Sequence, residues 1–222
     1  MTNSKYGESA NPSDPAWTYM LDADPIHTFN DAQKMAWVRG RLEKTLLVPL
    51  RDAEIRTRFG REPIPAYDLN LGMMTLACCA VEALGRFLLG GSKSQKCDAC
   101  GQSSETPSAS KCFREFVKEY MSSYYGMSRP LYGSYRCGLA HSLAIRDGSL
   151  ASSLGMEYVK GNSTSPHLVD YDRFIKDLDT GIDRYFNDLR NSPDLRADFL
   201  RHWNREYGFW CKLSRLKSGQ AS

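Results

Sequence analysis

Residues 69–89, LNLGMMTLACCAVEALGRFLL, form the only long apolar run in the chain, and Gly90-Gly91 ends it. A run of this length can cross a bilayer or fill the middle of a helical bundle. Glu82 and Arg86 decide between the two, because a carboxylate in such surroundings needs a partner. The reading is a core helix that begins at Asp68 or Asn70, apolar nearly all round, with other helices wrapped about it. Arg86, one turn on, is the local partner expected for Glu82. Arg136, far along the chain, is the functional alternative, with Glu82 holding that guanidinium in position.

The remaining periodicity supplies the wrapping helices. Asn30-Asp31 can cap a helix that runs through Ala36, Val38, Leu42 and Leu46-Leu47 to about Pro49. A charged continuation over residues 51–61 reads as a solvated face. Residues 111–125 carry Phe113, Phe116, Val117, Tyr120 and Met121 on one helical face, with Gly126 as the stop. Asp170 can cap a long helix with the stripe Phe174, Ile175, Leu178, Ile182, Tyr185, Phe186 and Leu189, broken at Ser192-Pro193. A last helix spans residues 194–213 and interleaves arginines with Phe199, Trp203, Tyr207, Phe209 and Trp210; His202 there is a surface or packing histidine. Between the third helical pattern and Asp170, residues 156–159 and 167–169 flank a Lys-Gly-Asn-Ser-Thr-Ser-Pro turn and read as a short hairpin, with His167 facing solvent or a strand neighbour. The fold class is therefore mainly α, a bundle of five to six helices with one small inserted β-hairpin. Residues 1–29 read as a flexible arm, 30–213 as the helical domain and 214–222 as a basic tail.

One helix carries chemistry. Pro130 suits a first helical turn. Leu131, Tyr135, Leu139 and Ser142-Leu143 follow at helical spacing, and Asp147-Gly148 is the stop. Arg136 and His141 lie inside it. Arginine presents a planar, permanent positive charge matched to phosphate, and histidine can move a proton in either direction near neutral pH. Together they are a minimal kit for cleaving a phosphodiester without a metal. On a regular helix they point about 140° apart over roughly 7.5 Å of rise. A second copy of the helix across a two-fold axis would complete such a site, and Gly138 leaves room for a partner backbone.

The phrase Arg136-Cys137-Gly138-Leu139-Ala140-His141 resembles the R-x(4–6)-H motif of the HEPN superfamily. The resemblance covers residues 30–212 as a layout and the motif alone residue by residue. It implies a helical fold, a homodimer and a metal-independent ribonuclease, often a toxin or defence protein, with Arg136 and His141 as site residues; Glu82 joins them from the charge argument above, as the group that would hold Arg136. RNA and a possible antitoxin or regulatory protein would be the partners. It equally implies the alternative of a catalytically silent module that binds RNA, nucleotide or protein. Cys137 stands where active members often have a polar residue. Ser142-Leu143 replaces the H-x-Tyr extension, which argues against pairing with a nucleotidyltransferase.

Composition adds boundaries. A net charge of +3 is compatible with nucleic acid and does not demand it. Seven cysteines, an odd number, with no N-terminal apolar run, lead to the expectation of a reducing cytoplasm and no membrane anchor. Cys97-x-x-Cys100 with Cys112 is at most three ligands of a four-ligand zinc site, so no stoichiometric zinc and no cofactor are expected. Free thiols or a redox-labile pair are the other readings.

Overall fold

The structure, a computed structural model, describes residues 29–49, 66–90, 95–96, 103–104, 107–142, 144–151, 155–162 and 165–217. Six helices are found among them: α1 (Asp31–Leu42, continuing as a π turn over Glu43–Leu47), α2 (Ala66–Leu89), α3 (Ala109–Tyr120), α4 (residues 128–142), α5 (Tyr171–Asn191) and α6 (Pro193–Lys217). Five short strands are also described: β1 (Gln95–Lys96), β2 (Ser103–Ser104), β3 (Gly148–Ala151), β4 (Tyr158–Val159) and β5 (His167–Asp170). The mainly helical bundle expected from periodicity is present. The charged segment 51–61, the arm up to residue 28, Cys97 and Cys100 lie outside the described residues.

Local chemistry fixes the helix ends. Asn30 caps α1 through a reciprocal box: its side chain accepts from the Gln33 amide, and the Gln33 side chain accepts from the Asn30 amide, both at 2.9 Å. Ser108 caps α3 by accepting from Lys111 N, and Asp170 caps α5 by accepting from Arg173 N. Ser192 separates α5 from α6. Several ends differ from the reading above: α2 begins at Ala66, before Asp68, and α3 at Ala109, before residue 111. The α-helix α3 stops at Tyr120, and a 3₁₀ segment over Ser122–Met127 takes the chain on to α4. Helix α6 continues past Leu213 to Lys217.

Helix α2 occupies the centre and packs on α3, α4, α5 and α6. Met74, Ala77, Cys78, Val81 and Leu84 are fully or almost fully buried on it. By length and composition residues Leu71–Leu89 could cross a membrane, and 56% of that window is buried inside the fold. The helix is not covered all round, however: Gly72, Leu76, Cys79 and Ala83 form an exposed stripe, with Leu76 at 51%. On α3 the whole expected face is buried, and α5 buries every residue of its stripe. Aromatic pairs knit the ends together, Trp37 of α1 against Trp203 of α6 at 5.4 Å and Phe87 of α2 stacked on Phe199 at 4.7 Å.

The insertion holds the expected hairpin: β4 runs antiparallel to β5, with Tyr158 opposite Val169 and Val159 opposite Leu168. A third strand joins it. β3 lies parallel on the other side of β5, with Gly148 opposite His167 and Ala151 opposite Asp170. His167 is a structural group here, since its Nδ1 accepts the Gly161 amide at 2.9 Å and closes the turn.

His202 is buried against the Phe87 ring at 4.5 Å, and its Nδ1 lies 2.6 Å from an Arg205 terminal nitrogen. Arginine can only donate, so the ring is neutral there. Burial first, then Arg205, push its pKa from the ordinary 6.5 down to about 4. Such a group favours the folded state fully above pH 6.5, and that contribution is lost as pH falls from 6.5 to 4, where the unfolded chain binds the extra proton. We therefore expect the melting temperature to fall between pH 7 and pH 4, with a loss of roughly 3 kcal/mol from this residue. His202→Gln should flatten that part of the stability–pH curve measured by thermal denaturation.

Candidate functional site

Helix α4 is not a regular α-helix. Residues Ser128–Pro130 start it, Leu131–Cys137 form a π segment, and Gly138–Ser142 return to α geometry. A π turn bonds i to i+5, carries less rotation per residue than an α turn, and occurs preferentially at functional sites. Leu131, Ser134, Tyr135, Gly138 and Leu139 face the core. Arg136 is left at the side of the helix, over α2.

Glu82 of α2 meets this arginine. Its Oε2 lies 2.7 Å from Arg136 Nε, and its Oε1 accepts from Arg86 Nη2 at 2.8 Å and from Nε at 3.3 Å. The two partners weighed from sequence are therefore both in place. The Arg136 contact is a charge pair whose N–H does not point along the line to the oxygen, since neither atom gains an aligned hydrogen bond. The Glu82 side chain is only 8% exposed and that of Arg136 20%. One carboxylate thus serves two guanidinium groups, and the cluster keeps one positive charge in excess.

Tyr132, one turn before Arg136, lies beneath it, with the guanidinium carbon 5.8 Å from the ring centroid. Tyr132 in turn packs edge-on against Phe113. Burial lowers the Arg136 pKa, but Glu82, Tyr132 and Cys79 outweigh it, so the group sits above its ordinary value and stays charged. The hydrogen bond to Glu82 raises Arg86 likewise. Sequence reading passed over Tyr132, although its i, i+4 spacing to Arg136 was the available signal.

His141 is on the last turn of α4 and exposed to solvent. No hydrogen bond or ion pair holds it among the described residues. So the structure brings Arg136 and Glu82 together, and leaves His141 open on the next turn of the same helix. Gly138 does not serve as a gap for a partner. A Cβ there would lie 2.5 Å from the Ala144 carbonyl oxygen, because the chain's own return segment crosses at that point.

Three of the cysteines around the cluster are held as thiols. Burial raises the thiols of Cys78, Cys79 and Cys112, with Arg136 or Arg86 opposing it only in part. Cys112 is buried in α3, its sulfur 3.7 Å from the Pro107 carbonyl. Among the described residues no three His, Cys, Asp or Glu side chains converge on a metal position. The chemistry on offer is a fixed positive charge and, one turn further along the same helix, a solvent-open imidazole. No protein-family model, no curated protein and no solved structure matches this chain.

Proposed function

We propose that the protein is a metal-independent endoribonuclease of HEPN type that works as a homodimer in the cytoplasm, in a toxin or defence setting where an antitoxin or regulatory protein restrains it. The observation that carries this reading is the pairing of Glu82 with Arg136, with an exposed His141 on the next turn of the same helix. Glu82 and the Tyr132 ring fix the arginine in advance of substrate, which is what stabilising a developing phosphorane charge requires. His141, unencumbered, accepts the proton of the RNA 2′-OH as that oxygen attacks the adjacent phosphorus. The His141 of a second copy returns a proton to the departing 5′-oxygen. Each cleavage then leaves a 2′,3′-cyclic phosphate and a 5′-OH.

A second reading is favoured by one feature. Arg136 spends its Nε on an internal carboxylate and is mostly covered, as in a module that binds RNA, nucleotide or protein without cleaving. Incubating a mixed RNA pool and a matched DNA pool with the protein in EDTA separates the two. Cleavage of RNA alone is the expected result, since DNA lacks the 2′-OH; intact RNA with retained binding would favour the silent module. Because one helix does not converge both side chains, light scattering at micromolar concentration should give the mass of a dimer, and a monomer that still cleaves would remove the second histidine from the mechanism.

A further inference from the structure

We infer that the Tyr135 hydroxyl is a positioning group, pinning the π register of α4 to the three-stranded sheet so that the next residue, Arg136, is held against Glu82. The inference rests on the role proposed above for Arg136.

Tyr135 is fully buried. Its hydroxyl lies 2.9 Å from the Ser149 carbonyl of β3 and 2.9 Å from the His167 carbonyl of β5, so its single proton is shared across the parallel pair. The ring comes so close to β3 that a Cβ on Gly148 would be 2.6 Å from the hydroxyl oxygen. Two weaker bonds run the same way: Arg146 N to the Ser134 carbonyl at 3.4 Å, and Ala144 N to the Gly138 carbonyl at 3.5 Å. The sheet and its lead-in segment therefore grip the inward face of α4 along the π segment.

That grip has work to do. π segments are rare because α geometry is usually preferred, and an irregular backbone persists only where its surroundings determine it. Reverting residues 131–137 to α geometry would turn Arg136 about the helix axis relative to Leu131, away from Glu82, since each α residue advances about 100°. Glu82 would keep Arg86, which belongs to its own helix, and lose Arg136. Burial raises the Tyr135 hydroxyl above its ordinary pKa, so it remains a donor over the working pH range.

Tyr135→Phe in the full chain removes the hydroxyl and keeps the ring. The readout is the Nε–H signal of Arg136 by nitrogen-15 NMR, with Arg86 Nε as the internal reference. We expect the Arg136 signal to shift and its exchange with solvent to rise about tenfold, the worth of one buried hydrogen bond, while the Arg86 signal stays in place. RNA cleavage by the variant should fall in kcat with KM unchanged. An unchanged Arg136 signal in the folded variant overturns the inference, even if the melting temperature drops. If the variant does not fold, hydrogen exchange of the wild type in mild denaturant decides. Arg136 Nε–H opening together with the His167 amide, which bonds to the Asp147 carbonyl, supports the pin; Arg136 opening independently overturns it. Wild-type protein that never cleaves RNA would sink the ribonuclease reading alone, and the NMR result would still decide the role of Tyr135.

Discussion

His141→Ala is expected to slow RNA cleavage by about 10²- to 10⁴-fold, the usual worth of a general acid–base group, with the melting temperature unchanged. The second half of that expectation follows from exposure: His141 is open to solvent and holds no partner among the described residues, so its loss costs the fold nothing that can be named. Arg136→Ala should lower cleavage by a similar factor, about 10²- to 10³-fold, as removal of a fixed charge stabiliser does. It should also cost a little stability, because Tyr132 loses its cation and Glu82 loses one of two partners. Arg136→Lys is the sharper control. It keeps the charge and loses the planar fork, so activity should recover only in part. Gel-based cleavage rates with circular dichroism melts measure both quantities, and cleavage that survives His141→Ala would remove the proton-transfer role.

Glu82→Ala carries the largest expected effect on stability. It leaves Arg86 and Arg136 facing one another beside a buried site with no anion between them. Breaking a buried pair from one side costs about 3–5 kcal/mol. The partly open guanidinium groups place this case near the lower end, about 3 kcal/mol, because water screens them. Glu82→Gln keeps the volume and can still bond one arginine, so a smaller loss is expected in urea denaturation. If Glu82 orients Arg136, the glutamine variant should also lose activity in part. A cycle combining Glu82→Gln with Arg136→Ala isolates that coupling: contacting residues show interaction energies of about 0.5–3 kcal/mol, and strict additivity would mean that Glu82 serves Arg86 alone.

Local signals carried most of the architecture. Asn30 and Asp170 announce their caps, and the stripes on α3 and α5 announce their buried faces; the cap at Ser108 is seen only in the structure. Strand β3 was not legible. Gly148-Ser149-Leu150-Ala151 has no β-branched or aromatic alternation, and its partner His167–Asp170 is reached only through a parallel, non-local pairing. The exposed stripe of Gly72, Leu76, Cys79 and Ala83 was hidden for a related reason, since composition shows a helix to be apolar without showing which side its neighbours leave bare. At the candidate site, Glu82 and Arg86 could be read from charge within an apolar run, with Arg136 only as an alternative partner; that one carboxylate holds both arginines is seen only in the structure. The π segment could not be read, because the residues from Leu131 to Cys137 fit an α pattern equally well and tertiary contacts through Tyr135 choose between them.

The central claim is that Arg136 and His141 cleave RNA by internal attack of the 2′-OH, without metal. Its most direct measurement is the chemistry of the fragment ends after incubation of RNA with the wild-type protein in EDTA. The account predicts 5′-OH ends and 2′,3′-cyclic phosphates, seen as 3′ ends that resist ligation until the phosphate is removed. Fragments with free 3′-OH and 5′-phosphate ends, or cleavage that appears only when magnesium is added, would contradict it.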